Sequence, residues 1–143
     1  MKVERVSEAS DELVEALVRL LPQVSTTAPA PTRDSVADLL ARNDHYVLVA
    51  RDDDGRIVGS LTLIVYRTMG RVQGTIHDVV VDETSRGQGI GEALTVDAQR
   101  LAVGAGAESV RLTSRSHRAA AHRLYERLGF EPVDTQVYVW RPH

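Results

Sequence analysis

The chain has 143 residues, of which 43% are apolar and 26% charged, with a formal net charge of −3 and no cysteine. This length predicts one domain, residues 1–143, with a single core. The composition excludes disulfides, thiolate metal sites and a cysteine nucleophile, and the acidic balance argues against nucleic acid as the main partner. No long apolar run and no N-terminal signal core are present, which predicts a cytoplasmic protein without a membrane segment.

The first half of the chain predicts one strand, two helices and three further strands. Leucines recur at helical spacing after Ser7 or Ser10, either of which can cap a helix, and Thr32 can cap a second helix. Strongly β-forming stretches then flank the hairpin signal Asp53-Asp54-Gly55, which predicts an antiparallel meander. The predicted bounds are a strand at residues 2–6, a helix ending at Pro22, a loop at 22–31, a helix at 32–42 and strands at 46–51, 57–66 and 72–81.

The second half predicts a helix, a strand, a second helix and two short closing strands. The first of these helices begins on a glycine-dense segment, and Gly129 is typical of the C-terminal end of the second. The resulting order, β-α-α-β-β-β-α-β-α-β-β, indicates an α+β fold with four helices and a mixed sheet of about seven strands. The predicted bounds are helices at residues 89–103 and 117–128 and strands at 109–113, 130–133 and 136–140.

The most informative segment joins a predicted buried strand to a helix through the alternating glycines Gly87, Gly89 and Gly91. The first N–H groups of a helix have no intrahelical partner, and the helix dipole favours an anion there. Glycines let that anion approach the backbone, so the segment predicts a pyrophosphate site. A P-loop is excluded because the segment has no lysine, and the dinucleotide fingerprint fails on its glycine spacing. A glycine-rich turn that binds nothing is the alternative.

Two motifs carry a family resemblance. The segment Arg86-Gly87-Gln88-Gly89-Ile90-Gly91 and the later segment Leu124-Tyr125-Glu126-Arg127-Leu128-Gly129-Phe130 resemble the paired motifs of the GCN5-related N-acetyltransferases (GNAT). The order of elements is also that family's, so the resemblance covers nearly the whole chain. Within the family, residues 44–47 and 74–81 look similar to the glucosamine-6-phosphate acetyltransferase branch. The resemblance implies a GNAT-like fold with an antiparallel N-terminal meander and splayed central strands.

The resemblance also implies acetyl-coenzyme A (acetyl-CoA) as a cosubstrate bound at the splayed strands. Backbone groups of Val79 and Val81 would pair with its pantetheine arm, and N–H groups of residues 87–92 would hold its pyrophosphate. Arg86 could contact a phosphate or pair with a neighbouring carboxylate. Arg118 replaces an asparagine that many relatives carry, and it could reach a phosphate or be solvated. The implied cofactor-binding residues are Val79, Val80, Val81, Arg86, Gly87, Gln88, Gly89, Ile90, Gly91, Glu92 and Arg118.

The same resemblance places at Tyr125 the acid that protonates the departing coenzyme A thiolate. A core aromatic residue is the alternative. The candidates for the general base are His77 and Asp78, which lie on the strand that leads to the glycines, and, third, Glu83. An imidazole suits a base at neutral pH. Several relatives place an acid on the next strand, where this chain has Thr113. The other histidines do not cluster with acids at ligand spacing, so no metal site is predicted.

The implied function is N-acetyl transfer from acetyl-CoA to a primary amine of a small molecule or peptide, by direct attack in a ternary complex. A non-catalytic acetyl-CoA-binding sensor and an interaction protein with a fortuitous glycine turn are the alternatives. The acceptor pocket is expected at the first two helices, residues 22–33, the turn at 68–71 and the closing strands. Members of the resembling family commonly dimerise through those strands, so a homodimer is compatible with this interpretation.

Overall fold

A five-stranded sheet is the framework of the part of the chain that the computed structural model describes, residues 1–114 and 119–142. Contacts divide the chain into two units, Met1–Thr113 and Ser114–His143, and the sheet belongs to the first. The strands are β1 (Lys2–Val6), β2 (His45–Arg51), β3 (Ile57–Arg67), β4 (Val72–Val81) and β5 (Ser109–Arg111), and the helices are α1 (Asp11–Leu20), α2 (Arg33–Leu40), α3 (Ile90–Gly104) and α4 (Ala119–Arg127). Short 3-10 turns at Leu21–Gln23 and Glu83–Ser85 follow α1 and β4.

The strands lie in the order β1-β2-β3-β4-β5. The first four pair antiparallel in sequence order, and β5 pairs parallel with β4. The predicted hairpin joins β2 to β3, where Gly55 takes φ +83° and its N–H donates to the Asp52 carbonyl oxygen at 3.0 Å. The predicted α+β fold, mixed sheet and N-terminal meander are therefore confirmed, as are four helices among the described residues.

The prediction of about seven strands is wrong, because the described residues form five. β5 ends at Arg111, and residues 130–142 form no strand. Two strands were predicted there, but a strand also needs a neighbour that completes its ladder of backbone hydrogen bonds. Side chains along this segment are largely exposed, Tyr138 at 90% and Trp140 at 82%.

Helices α1 and α2 pack on one face of the sheet. Ser10, one of the two predicted candidates, caps α1 by accepting a hydrogen bond from the Leu13 N–H at 3.1 Å. Thr32 and Ser35 form a reciprocal capping box at the start of α2. A core cluster joins both helices to the sheet, and its buried members are Leu13, Ala16, Leu17, Leu20, Val36, Val49, Ile57 and Val80. Because Val80 belongs to this cluster, the helices are fixed over the C-terminal end of β4.

Helix α3 packs on the opposite face of the sheet, at a position where β3 carries Gly59 and therefore has no side chain. A β-carbon at Gly59 would lie 3.1 Å from Ile90 Cγ2 and 3.2 Å from both Leu94 Cδ1 and the Val80 carbonyl oxygen. Ile90 and Leu94 are both buried. The missing side chain at position 59 therefore lets the first turns of α3 lie directly against β3, which fixes the place where the helix begins.

Substitution of Gly59 by alanine is expected to lower the free energy of unfolding by about 1–3 kcal/mol, the usual cost of overpacking a core. One of the three close atoms is a backbone oxygen, which cannot rotate away. Gly70→Ala is the matched control, because no heavy atom lies within 4 Å of a β-carbon at that position. Urea denaturation of both variants measures the difference, and equal stabilities would contradict the close approach of α3.

The second unit contains α4, which ends in a Schellman motif. Gly129 takes φ +94°, its N–H donates to the Glu126 carbonyl oxygen at 3.0 Å, and the Phe130 N–H donates to the Tyr125 carbonyl oxygen at 2.9 Å. The rings of Phe130 and Tyr125 meet edge to face with their centroids 5.8 Å apart. The predicted C-terminal glycine is thus confirmed, whereas the predicted helix start at residue 117 lies outside the described residues.

Candidate active site

An extra residue on β4 interrupts its pairing with β3. Thr62 lies opposite His77 and Ser60 lies opposite Val80, so a two-residue step on β3 faces a three-residue step on β4. Asp78 occupies this β-bulge with φ +53°, the only positive φ of a non-glycine residue in the described chain. Aspartate enters the left-handed region more readily than most residues. Bulges redirect the side chains of a strand and often lie next to active sites.

The pairing of β4 with β5 is short. It covers Gln73 to Thr75 on β4, opposite Ser109 to Arg111 on β5. Beyond Thr75, β4 has no strand partner on this side within the described residues, although it continues to Val81. The ladder between β4 and β5 is thus confined to the N-terminal part of β4. Backbone groups at this edge are suited to pair with an extended, amide-bearing ligand.

Residues 87–89 turn the chain from this strand into α3. Gly87 takes φ +80° and Gly89 takes φ +78°, and no heavy atom lies within 4 Å of a β-carbon at either position. Both glycines therefore serve the backbone conformation, and the space beside them is open. Gly89 is the N-cap of a 15-residue helix, and a glycine offers no side-chain oxygen to the first N–H groups. Those donors and the helix dipole suit an anion such as a pyrophosphate.

Two residues of the predicted cradle make hydrogen bonds within the chain. The Arg86 Nε donates to the Val81 carbonyl oxygen at 3.2 Å rather than to a neighbouring carboxylate. Gly91 lies inside α3, and its carbonyl oxygen accepts the Thr95 hydroxyl at 2.7 Å. Arg86 therefore ties the glycine loop to the end of β4, and Gly91 belongs to the helix rather than to the turn.

A buried carboxylate, Asp82, anchors the loop and is absent from the predicted site. Its side chain is 8% exposed, and the Arg19 Nε lies 4.0 Å from its Oδ2. The Thr84 N–H donates to its Oδ1 at 3.4 Å. Burial alone would raise the pKa of the Asp82 carboxyl, but hydrogen bonds from Thr84 and Gln23 and the charge of Arg19 hold that pKa below its ordinary value. Asp82 is therefore a carboxylate at neutral pH.

Arg19 and Gln23 link the α1 side of the molecule to this loop. Arg19 Nη2 donates to the Ile57 carbonyl oxygen at 2.5 Å, and Gln23 Oε1 accepts the Glu83 N–H at 3.0 Å. The Arg19 Nε is buried without a hydrogen-bond partner among the described residues, so its nearest compensation is the Asp82 charge. Sequence reasoning missed both residues. For Arg19, the sequence did offer one signal: it is a single arginine directly next to Leu20, which is buried.

A cavity of about 360 Å³ lies between the two N-terminal helices and the sheet. Apolar side chains of α1, α2 and residues 29–31 form most of its wall, and β2, β3 and β4 complete it. Both helices and residues 29–31 belong to the region where the acceptor pocket was predicted. The turn at 68–71, which was also predicted, contributes no lining residue. The polar lining residues are Thr32, Ser35, Ser60, Thr62 and Asp78.

The glycine-started helix, the open strand edge, the bulge on β4 and the adjoining cavity together form the candidate site. The model of the Acetyltransferase (GNAT) family matches residues 11–130, which is most of the chain. The chain belongs to the GNAT family. It is therefore an acyl-CoA-dependent N-acetyltransferase, an enzyme that transfers an acetyl group to an amine.

Individual GNAT proteins are similar over different shares of the chain. A glucosamine 6-phosphate N-acetyltransferase of Trypanosoma brucei brucei is 32% identical over 139 residues, which are 93% of this chain and 91% of the relative. The crystal structure of a Trypanosoma brucei acetyltransferase superimposes with a TM-score of 0.78 and 29% identity, covering 98% of this chain and 99% of the other. An aminoalkylphosphonate N-acetyltransferase of Salmonella typhimurium is 37% identical over 97 residues, 66% of this chain and 62% of the relative.

The structure distinguishes the two candidate bases of this GNAT enzyme. Asp78 lines the cavity. His77 is exposed, as Asp78 is, but it is not a lining residue, and its Nε2 lies 2.9 Å from the Thr75 Oγ1. His77 and Thr62 are direct cross-strand partners and therefore share a sheet face, but only Thr62 reaches the cavity. Asp78 is the better placed of the two to meet a molecule bound there.

Tyr125, the predicted acid, belongs to α4 in the second unit. It is half-buried, and its ring packs edge to face with that of Phe130. This contact gives the aromatic ring at position 125 a packing role. The role of its phenol as an acid stays a prediction. Arg118, the substituted coenzyme contact, lies outside the described residues.

Over residues 1–114 and 119–142, no group of three or more histidine, cysteine, aspartate or glutamate side chains could hold a metal ion. The helices of the same residues are all too short or too polar to cross a membrane.

Proposed function

We propose that this enzyme moves the acetyl group of acetyl-CoA to a primary amine of a small molecule, by direct attack in a ternary complex. The proposal rests on the path of β4 from the cavity to the glycine loop. One strand presents Asp78 to the cavity and, a few residues later, leads into the left-handed glycines at the start of α3. An amine in the cavity and a donor held at the glycines would therefore approach each other beside the bulge. Relatives named for glucosamine 6-phosphate and for aminoalkylphosphonates support a small amine as acceptor.

The residues of the glycine loop fit the donor's pyrophosphate. N–H groups of residues 87–92 would hold it, with Gly87 and Gly89 supplying the left-handed turn. Val79 and Val81 would offer backbone groups to the amide-bearing arm along the open edge of β4. The Val80 side chain is 1% exposed and packs in the core, so its part is limited to the backbone. When bound, acetyl-CoA supplies the acetyl group as an activated thioester.

The chain's own residues would manage two protons. A protonated amine has no lone pair with which to attack, so Asp78 would accept a proton from the ammonium at a carboxylate oxygen, directly or through water. Tyr125 would hold a proton at its Oη, ready for the sulfur when the carbon–sulfur bond breaks. The nitrogen loses a second proton as it becomes the amide, and this proton leaves to solvent. Asp78 releases its own proton to solvent and the Tyr125 phenolate regains one from solvent, so each turnover releases one net proton.

Turnover and binding together test this proposal. The protein is incubated with acetyl-CoA and a panel of primary amines, and free thiol release is recorded alongside melting temperatures with and without acetyl-CoA. Acetyl-CoA is expected to raise the melting temperature by mass action, and at least one amine is expected to release thiol. Tyr125→Phe should retain the thermal shift and lose most of the turnover. A shift without turnover of any amine would indicate a sensor, and no shift at saturating acetyl-CoA would reject the donor site.

A further inference from the structure

We infer that the acceptor is a small amine with an apolar body and no phosphate, phosphonate or carboxylate group. The inference rests on the proposed function, since it takes the cavity beside Asp78 as the acceptor site. It concerns the class of acceptor only and follows from what the wall of that cavity offers to a ligand.

Most of the wall is hydrocarbon. Leu17 and Leu21 from the α1 side, Val36 and Leu39 from α2, and Val47 from β2 contribute apolar side chains, and residues 29–31 add two prolines and an alanine. Apolar walls favour apolar ligand surface, because its removal from water stabilises the complex. The body of the acceptor is therefore expected to be apolar.

Several hydroxyls of the lining are already engaged within the protein. The Ser60 hydroxyl donates to the Leu48 carbonyl oxygen at 3.1 Å. Thr32 Oγ1 accepts the Ser35 N–H at 3.1 Å, and the Ser35 hydroxyl donates to the Thr32 carbonyl oxygen at 3.1 Å while accepting the Thr32 N–H. A ligand therefore meets chiefly the Asp78 carboxylate and the Thr62 hydroxyl as polar groups.

Among the described residues, no basic side chain lines the cavity. Arg33, at the start of α2, is directed elsewhere, because its Nη1 donates to the Ala9 carbonyl oxygen at 2.9 Å and its Nη2 pairs with Asp11. A phosphate or carboxylate in this cavity would lose water without gaining a cation, and it would lie near the Asp78 carboxylate. The same carboxylate attracts an ammonium group.

This separates the chain from two of its relatives in acceptor chemistry. One is named for glucosamine 6-phosphate and the other for aminoalkylphosphonates, so both names specify a phosphorus oxyanion on the acceptor. Proteins usually recognise such groups with arginine or lysine. The family fold is shared, but the acidic and apolar cavity of this chain suits a ligand of the opposite charge.

Matched pairs of amines test the inference with the full chain and acetyl-CoA. Propylamine is compared with 3-aminopropylphosphonate, and phenethylamine with phenylalanine, by kcat/KM from thiol release. The member without the acidic group is expected to be favoured about tenfold or more in both pairs. Equal or better turnover of the phosphonate or of the amino acid would overturn the inference while leaving the proposed function intact. Turnover of none of the four, while another amine of the panel releases thiol, would overturn the inference and leave the proposed function standing.

A charge placed on the wall gives a second, independent readout. Lysine can lie along an apolar wall with its ammonium at the end, so Leu39→Lys adds a cation to the cavity. Leu39→Met is the matched control of similar length without charge. The lysine variant is expected to shift the kcat/KM ratio of propylamine to 3-aminopropylphosphonate about fivefold toward the phosphonate, whereas methionine keeps the wild-type ratio. Circular dichroism confirms folding of both variants, and equal ratios in folded variants would show that the wall charge does not select the acceptor.

Discussion

Replacement of Asp78 by asparagine is expected to lower kcat/KM for the best amine by about a hundredfold or more, in the range typical for loss of a general base. The amide has the shape of the carboxylate but cannot accept a proton from the ammonium. Asparagine also tolerates the φ of +53° that the bulge imposes, so the backbone of β4 should be retained. Steady-state kinetics with saturating acetyl-CoA measures the loss, and the affinity for acetyl-CoA should stay near its wild-type value.

His77→Gln is the comparison variant for Asp78→Asn. His77 directly precedes Asp78 on the same strand. Its side chain is exposed and contacts Thr75, and neither residue lines the cavity. Its substitution is expected to change kcat/KM by about threefold or less, in line with a surface residue that touches no reacting group. If the glutamine variant loses activity and Asp78→Asn keeps it, the base has been assigned to the wrong neighbour.

Gly89→Ala is expected to weaken acetyl-CoA binding about tenfold and to lower the free energy of unfolding by about 1–2 kcal/mol. The position has φ +78°, which places the β-carbon of any L-residue close to the following carbonyl oxygen. No other heavy atom lies within 4 Å of that β-carbon, so the cost comes from the backbone itself. Relief of this strain would turn the first N–H groups of α3 away from the anion, which is why affinity should fall with stability.

The control for this variant lies at the other end of the same helix. Gly104 has no positive φ, and no heavy atom lies within 4 Å of a β-carbon there, so Gly104→Ala should be tolerated. Isothermal titration with acetyl-CoA and urea denaturation are run on both variants. Unchanged acetyl-CoA affinity in a destabilised Gly89→Ala protein would mean that the donor does not rest on the start of α3.

Local signals in the sequence predicted the framework well. Ser10 and Thr32 cap the helices at which they were expected, Gly55 turns the first hairpin and Gly129 ends α4. Each of these features depends on a residue and its nearest neighbours in the chain, which a sequence displays directly. The glycine loop was predictable for the same reason, since Gly87 and Gly89 act through their own backbone angles.

Features that depend on distant partners were not predictable in the same way. The extra residue at Asp78 shows only when β4 is aligned with β3, because an alternating pattern does not reveal which residue is unpaired. The buried contact between Arg19 and Asp82 joins elements far apart in the chain. The prediction of strands within residues 130–142 was wrong because their residue types suit a strand, but no described strand pairs with them. The charge of the cavity likewise emerges only once the helices and strands that line it come together.

The short ladder between β4 and β5 also bears on how the protein should be handled. An unpaired strand edge can recruit a strand from another molecule and so begin aggregation. From Ile76 to Val81, β4 offers such an edge among the described residues. A donor lying along this edge would occupy the same backbone groups and block that route. Protein that is stored or concentrated without acetyl-CoA would therefore leave these backbone groups open to pairing with another molecule.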